Sequence, residues 1–339
     1  MPTLYVTESG ATVRIRSASI IVTDRAEDGS QKLLFEVEPH HVEGISLVGD
    51  VHITADALRR CFELGIPVSW LDAGGELHGR CVPPLDRNAS LRLSQYAAAS
   101  DPARSVSIAR AIVAAKVHNA TALLTDVQGN DSDNTVVRDA LVALRELDAA
   151  LAAAADLAAL RGVEGAAAAA FFGAFGAALR PATGMTFSRR ERRPPPDPVN
   201  ALLSFASVLL GNRITGMVEA RGLDPSVGFL HEVRSGRPSL AVDLLEEWRA
   251  PVVERFVLRS CNLKTLRPEH FDPPDAAGGV RLTREGLRQF FVEWEKYLER
   301  PVRGVEGSDT PLLAAIGRQV DAFAAGVRGG GIYEPFRAR

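Results

Sequence analysis

The sequence predicts an α+β protein in which a strand-rich N-terminal domain, residues 1–86, is followed by a larger all-α domain, residues 87–339. Three observations carry this. Short β-branched or alternating runs fill the first 85 residues. From about Ser90 onward apolar residues recur three and four apart, with much alanine, which is the helical period. Charge divides along the same line: residues 1–86 hold seven basic and thirteen acidic side chains, a balance of −6, and the rest hold 32 and 29, a balance of +3.

The elements follow in order. Leu4–Thr7, Thr12–Ile15, Ser19–Thr23, Leu33–Val37 and Ile45–Val48 read as strands, divided by turns such as Glu8-Ser9-Gly10 and Glu27-Asp28-Gly29-Ser30. One helix, Ala55–Leu64, is opened by Thr54 as N-cap and stopped by Gly65. Strands return at Ile66–Asp72 and, after the Gly74-Gly75 turn, at Glu76–Val82, and Pro83-Pro84 ends the region. Helices are expected over Ala103–Leu124 and Val136–Leu160, with the polar loop Gln128–Asn134 between them. An alanine-rich helix from near Gly162 to about Leu179 is expected to be central, because small residues let neighbours approach closely. Gly184–Pro198, four arginines and then a run of prolines, is the clearest loop. Helices resume at Val199–Arg221, Leu240–Asn262, Thr283–Glu299 and Pro311–Val327, and the tail Gly329–Phe336 lies outside them.

Composition excludes several classes. With 46% hydrophobic and 24% charged residues the chain is globular rather than disordered. Three distant cysteines, Cys61, Cys81 and Cys261, rule out a disulfide framework, a four-cysteine zinc site and a four-thiolate iron–sulfur cluster from this chain alone. The most apolar stretch, Ala166–Leu179, is shorter than the ~20 residues of a membrane span and is flanked by Glu164 and Arg180. No basic segment followed by an apolar one opens the chain, so a cytoplasmic protein without a membrane is expected. Of 39 basic residues 35 are arginine, which fits either GC-rich codon usage or contact with phosphate.

The chemistry concentrates on a few side chains. His231 lies a few residues after Leu223-Asp224-Pro225, and Asp243, Glu246 and Glu247 follow. On a helix Asp243 and Glu246 share a face, opposite the apolar stripe Leu245, Trp248, Val252 and Phe256. A solvated helix face would also explain such acids. Glu164, however, stands at the start of an otherwise apolar helix, where a carboxylate is costly to bury unless paired, protonated or bound to metal. A Glu, a His and a further acid form a mixed oxygen and nitrogen set that suits Mg²⁺ or Mn²⁺ better than structural zinc.

Together with Ser46–Arg80, the segments around Glu164 (Arg161–Phe172), Arg192–Phe205 and Gly222–Pro251 resemble the CRISPR-associated protein one family, the integrase of spacer acquisition. The resemblance runs in chain order from Leu4 to about Phe291. It implies that Glu164, His231 and Glu246 are the catalytic metal ligands, that Asp243 supports them one turn earlier, and that Lys116 and Asn119 form a Lys-x-x-Asn element on an early helix. Ala206-Ser207 replaces the Gly-Tyr common in relatives, and Glu247 is expected to be a salt-bridging neighbour. Lys116, Arg189, Arg190, Arg192 and Arg193 are expected to contact DNA, the arginines from a mobile loop. The implied activity is metal-dependent DNA integration, with the 3′-hydroxyl of a captured fragment attacking a phosphodiester at a repeat edge. A homodimer formed by residues 1–86, a dimer of CRISPR-associated protein two and a separate CRISPR-associated protein four nuclease are the implied protein partners. A metal-dependent nuclease acting on branched or single-stranded DNA, and a non-catalytic DNA-binding scaffold, are the alternatives.

Overall fold

Alternation of β-branched and charged residues, as in Thr12-Val13-Arg14-Ile15-Arg16, turns one side of each N-terminal strand inward. The computed structural model describes residues 3–26, 30–72, 74–82, 88–303, 309–329, 331 and 333–338. The expected turn at Glu27–Gly29, the Pro83-Pro84 stop and the 86/87 boundary lie outside them. The chain forms two compact units, Met1–Leu85 with Thr283–Glu295, and Asp86–Leu282 with Lys296–Arg339.

In the first unit β1 (Thr3–Val6), β2 (Thr12–Arg16), β3 (Ser19–Arg25), β4 (Gln31–Val37), β5 (Gly44–Val48) and β6 (His52–Ile53) precede α1 (Ala55–Glu63), β7 (Val68–Leu71) and β8 (Leu77–Cys81). They make two four-stranded sheets of order β1-β5-β7-β8 and β4-β3-β2-β6. The first is parallel except at β8, and the second is antiparallel except where β6 joins β2. Val6, Ile45, Leu47 and Val68 share one core with Val13, Ile20 and Val22 of the other sheet and with Ala57 and Cys61 of α1. Thr54 accepts the Ala57 N–H as N-cap, and Gly65 stops the chain at φ +74°, a left-handed turn that a β-carbon would strain. β4 is an edge strand with Leu33, Leu34 and Phe35 all exposed. The two-residue β6 has no pattern long enough to read from sequence.

The second unit is helical: α2 (Ala89–Ser100), α3 (Pro102–Asn130), α4 (Thr135–Ala153), α5 (Leu157–Phe175), α6 (Pro198–Ala220), α7 (Ser239–Glu246) and α8 (Arg255–Asn262). Beyond these lie α9 (Arg284–Leu298), the two-stranded hairpin β9 (Pro301–Arg303) and β10 (Asp309–Pro311), and α10 (Leu312–Gly329). The fold class is the expected one, strands first and helices after, with three differences of detail. The helix expected over Val136–Leu160 breaks at Ala154, because Asp156 accepts the Ala159 N–H and caps a new helix, α5. Glu164 is therefore two turns into α5 rather than at its start, and the helix macrodipole does little for it. Nor is α5 central: Leu160, Val163, Ala167, Phe171 and Phe175 face inward, while Gly165, Ala166 and Ala169 are exposed. The truly enclosed apolar helix is α6, where Val199, Leu202, Leu203, Ala206, Leu210 and Ile214 are buried.

The second difference is at Leu240–Asn262, where α7 and α8 are separated by a π-helical stretch, Arg249–Glu254, around Pro251. The third is that Thr283–Glu295, expected in the helical domain, belongs to the first unit. Phe291 stacks on Tyr5 with ring centroids 3.9 Å apart, Arg284 and Arg288 both pair with Glu8, and Glu295 accepts the Thr3 N–H. Helices Leu157–Ala178 and Pro198–Ala220 are apolar and long enough to cross a bilayer on composition alone, with mean hydropathies of 1.3 and 1.4. α5 nevertheless carries Arg161 and Glu164, both ion-paired, and the inner face of α6 is covered by protein.

Candidate active site

The segment from Asp224 to Glu232 has no regular structure of its own, so its backbone groups must be satisfied from outside. Gln95 of α2 donates to the carbonyls of Asp224 and Val227 and accepts the Asp224 N–H, and Ser105 of α3 donates to the Phe229 carbonyl. Asp243 of α7, fully buried, does the rest. Its Oδ2 accepts the N–H groups of Phe229 (2.6 Å) and Leu230 (3.0 Å), and its Oδ1 accepts the His231 N–H (3.1 Å) and faces His231 Nδ1 at 2.7 Å. A β-carbon at Gly228 would lie 2.7 Å from Asp243 Oδ2 and 2.8 Å from Ser239 carbonyl carbon, so only glycine lets the chain pass this close. An ionised carboxylate cannot donate, so Nδ1 carries the proton, which leaves Nε2 as the nitrogen whose lone pair the neutral ring would present. Asp243 thus holds both the loop and the His231 ring.

Glu164 and Glu246 come from α5 and α7 and meet on a single cation. Lys116 of α3 pairs with Glu164 Oε1, and its Nζ lies 2.5 Å from Glu246 Oε2. Arg249 donates from Nε to Glu246 Oε1 at 2.9 Å and from Nη1 to Ser207 Oγ at 3.3 Å. Burial pushes the Glu246 carboxyl up, but Arg249 and Lys116 outweigh it and hold it well below the usual carboxylate range. Lys116 therefore spends its charge on the carboxylates and is only 12% exposed. Arg161, nearly one turn before Glu164, pairs with Glu232 at 2.7 Å, which ties α5 to the residue following His231.

A further carboxylate, Glu254, closes the cluster from the π-helical turn. It is buried, its Oε2 has no hydrogen-bond partner, and burial raises its pKa against the pull of Arg249 and Lys116. Sequence reasoning passed over Glu254 and Arg249, although charges in the otherwise apolar run Trp248–Glu254 were a usable signal. Among the described residues no cation pairs with Glu247, which is not the salt-bridging neighbour expected. It points away from Glu246, accepts from Tyr333 Oη (2.6 Å) and the Phe336 N–H (2.5 Å), and burial pushes its carboxyl up to about 8 against these two bonds.

The arginine loop is partly built in. Arg190 donates to Asn200 Oδ1, Ser204 Oγ and the Glu191 carbonyl, and burial together with Arg192 and Arg249 lowers its pKa to about 10. It is a fixture rather than part of a mobile loop. Partial burial and Arg249 lower the pKa of Arg192, while Glu246, Glu164 and Glu254 oppose the fall. Arg189 pairs with Glu191, and Arg193 is exposed.

Among the described residues no group of three His, Cys, Asp or Glu side chains is arranged to hold a metal ion. The side chains nevertheless fit one in kind. Two carboxylates from separate helices converge on one positive charge, and Glu246 Oε2 is buried without an aligned hydrogen-bond donor. With the imidazole nitrogen of His231 added, the oxygen and nitrogen set in kind is that of Mg²⁺ or Mn²⁺.

The helical unit that follows the strand-rich one thus carries two carboxylates gathered about a lysine and an imidazole oriented by a buried aspartate. Residues 4–296 match the family model described as CRISPR associated protein Cas1. The chain is 34% identical over 334 residues to CRISPR-associated endonuclease Cas1 1 of Thermus thermophilus, covering 98% of each protein. It is 34% identical over 304 residues to a Cas4 exonuclease/Cas1 endonuclease fusion of Geobacter sulfurreducens, covering 88% of this chain but 53% of the fusion. Among solved structures it is similar to a casposase bound to integration product (TM-score 0.83, 23% identity, 100% of this chain and 95% of that one). It is also similar to a chain of a Cas6-RT-Cas1–Cas2 complex (TM-score 0.79, 22% identity, 99% of this chain and 36% of that one). The chain belongs to the Cas1 family.

Proposed function

We propose that this protein is a divalent-metal-dependent DNA integrase and endonuclease of CRISPR adaptation, working in the cytoplasm, with Glu164, His231 and Glu246 as metal ligands. The convergence of Glu164 and Glu246 on one enclosed cation carries this reading. When bound, Mg²⁺ or Mn²⁺ would polarise the scissile phosphate and stabilise the leaving oxygen. Asp243 keeps the imidazole of His231 in one tautomer and one place, so Nε2 needs no reorganisation. Arg249 holds Glu246 ionised. Arg192 sits on the same cluster, where phosphate oxygens would arrive. In joining, the fragment's 3′-oxygen loses its proton and bonds to phosphorus. The phosphorus–oxygen bond at the repeat edge breaks, and the released 3′-oxygen takes up a proton.

The curated relatives are named endonucleases, and the casposase that shares this fold is bound to an integration product. Both hydrolysis and transesterification are therefore reactions of one site that differ in the nucleophile, water or a 3′-hydroxyl. A joining assay with a labelled fragment and a repeat-bearing supercoiled plasmid tests the reading. Mn²⁺ or Mg²⁺ should support a fragment–plasmid adduct and EDTA should abolish it. Nicking without any adduct, with the small partner protein present, would leave only the nuclease.

For partners, a Cas2 dimer fits because a Cas1-containing chain of this fold is assembled with Cas2. Cas4 fits because relatives carry it in the same chain. A homodimer through residues 1–86 fits the acidic charge of that region, a poor surface for DNA. It also fits edge strand β4, whose exposed Leu33, Leu34 and Phe35 offer both backbone and apolar area. Phe35→Lys should shift the full chain from dimer to monomer in analytical ultracentrifugation at micromolar concentration. An unchanged dimer would place the interface elsewhere.

A further inference from the structure

The family match ends at residue 296, yet residues Tyr333–Ala338 are attached to α3 and to the end of α7, two of the three helices that carry the site. After α10, residues Tyr333–Ala338 run on without a helix or strand of their own. Three anchors hold them. The buried Tyr333 donates from Oη to Glu247 Oε1, and its ring packs edge-on against Phe323 of α10. The Phe336 N–H donates to Glu247 Oε2, and its ring stacks on Trp248 with centroids 4.3 Å apart at 17°. Asn119 of α3 then joins everything. Its Nδ2 donates to the carbonyls of Glu247 (2.7 Å) and Phe336 (3.0 Å), and its Oδ1 accepts the Ala338 N–H (2.7 Å). His118 Nε2 lies 2.8 Å from the Ala338 carbonyl, a further bond beside the first.

These bonds are made next to the site. Asn119 is one helical turn from Lys116, and Glu247 follows Glu246 directly. Glu164, Lys116 and Glu246 meet from three helices, and what aligns α3 with α7 sets the separation between Lys116 and Glu246. The Asn119 side chain and the tail tie α3 to Glu247 and Trp248, just past the C-terminal end of α7.

We propose that the C-terminal segment Tyr333–Ala338 is a positioning strap, and that by clasping Asn119 to Glu247 and Trp248 it fixes the place of Glu246 against α3. Glu247, Asn119, Tyr333 and Phe336 are then positioning residues that touch neither metal nor DNA. The strap explains a costly feature: a buried acid beside a buried phenol is retained because each satisfies the other and the backbone of the tail. The inference rests on the reading of Glu164 and Glu246 as the working carboxylates.

The test uses full-length protein with its partner. Phe336→Ala and Asn119→Ala should each weaken Mn²⁺ binding, read by isothermal titration calorimetry without DNA, by about tenfold, the scale on which groups that orient a metal ligand act. kcat for joining should fall by a similar factor and KM for the DNA fragment should stay within about twofold, because phosphate contacts are untouched. The double variant should lose little more than either single one, since both open the same clasp. Phe336→Tyr, which keeps the stack on Trp248, should restore both Mn²⁺ affinity and kcat. Unchanged Mn²⁺ affinity and kcat in Phe336→Ala and Asn119→Ala would overturn the strap, and so would fully additive losses. If Glu246→Ala joins DNA normally, the underlying reading of the carboxylates fails instead. Loss in Glu246→Ala beside an unaffected Phe336→Ala removes the strap alone.

Discussion

The two halves of the site are held by different physics. On the histidine side one buried carboxylate, Asp243, accepts three backbone N–H groups and faces the imidazole, all within fourteen residues of chain. Directional hydrogen bonds of this kind leave little freedom, and the ring is set before anything binds. On the carboxylate side Glu164 and Glu246 are drawn together from two helices by Lys116, with Arg249 as second counter-charge. Charge attraction gathers groups without fixing angles, and a lysine can leave when a stronger cation arrives. One half is fixed in orientation by directional bonds and the other is gathered by charge.

That contrast predicts a graded series of effects. The largest belongs to the carboxylates themselves: Glu246→Ala and Glu164→Ala should each lower the joining rate by about a thousandfold or more, as expected for loss of transition-state charge stabilisation. The labelled-fragment assay checks it, and normal adduct yield would take these residues out of the chemistry. His231→Ala should do the same with Mn²⁺ present.

Lys116→Met comes next and separates exchange from simple pairing. Removing one partner of an enclosed ion group strands the others, and should cost about 3 kcal/mol of stability in metal-free buffer. Because the stranded carboxylates then favour a divalent ion more strongly, Mn²⁺ should raise the melting temperature of the variant by more than that of the parent. An equal shift in both proteins would mean that Lys116 and metal do not compete.

Asp243→Asn should be milder than loss of a carboxylate, weakening Mn²⁺ binding by about ten- to a hundredfold, because the imidazole loses its fixed tautomer but stays in place. Calorimetry reads the affinity, and a drop as complete as that of His231→Ala would give Asp243 a direct role. The smallest effects are expected from the arginine loop. Replacing Arg189, Arg192 and Arg193 with Gln should flatten the salt dependence of DNA binding, by about 0.9 in log–log slope for each phosphate no longer neutralised. Arg190→Gln should instead lower the melting temperature, since its guanidinium holds Asn200 and Ser204.

Much of the architecture was legible because it is local. The strand runs, the Thr54 cap, the Gly65 stop and the helical periods each depend on residues a few places apart, and the structure shows them nearly where expected. The site residues Glu164, His231, Asp243 and Glu246 were singled out by residue type and by resemblance, and the Asp243–His231 bond joins two of them across one short loop. Single capping bonds were enough to upset finer expectations: Asp156 moved the start of α5, and with it the place of Glu164 in the helix.

What only the tertiary structure decided is which charges face each other. Sequence alone does not say that Lys116 lies between Glu164 and Glu246, or that Glu247 turns to Tyr333. Nor does it say that Glu254 is buried beside the cluster, or that residues 283–295 pack with the first unit. Helix and strand patterns repeat along the chain and leave a period to read. An ion pair between residues 116 and 246 leaves none, because it depends on how whole helices pack, and a carboxylate's neighbours are set by that packing rather than by its place in the sequence.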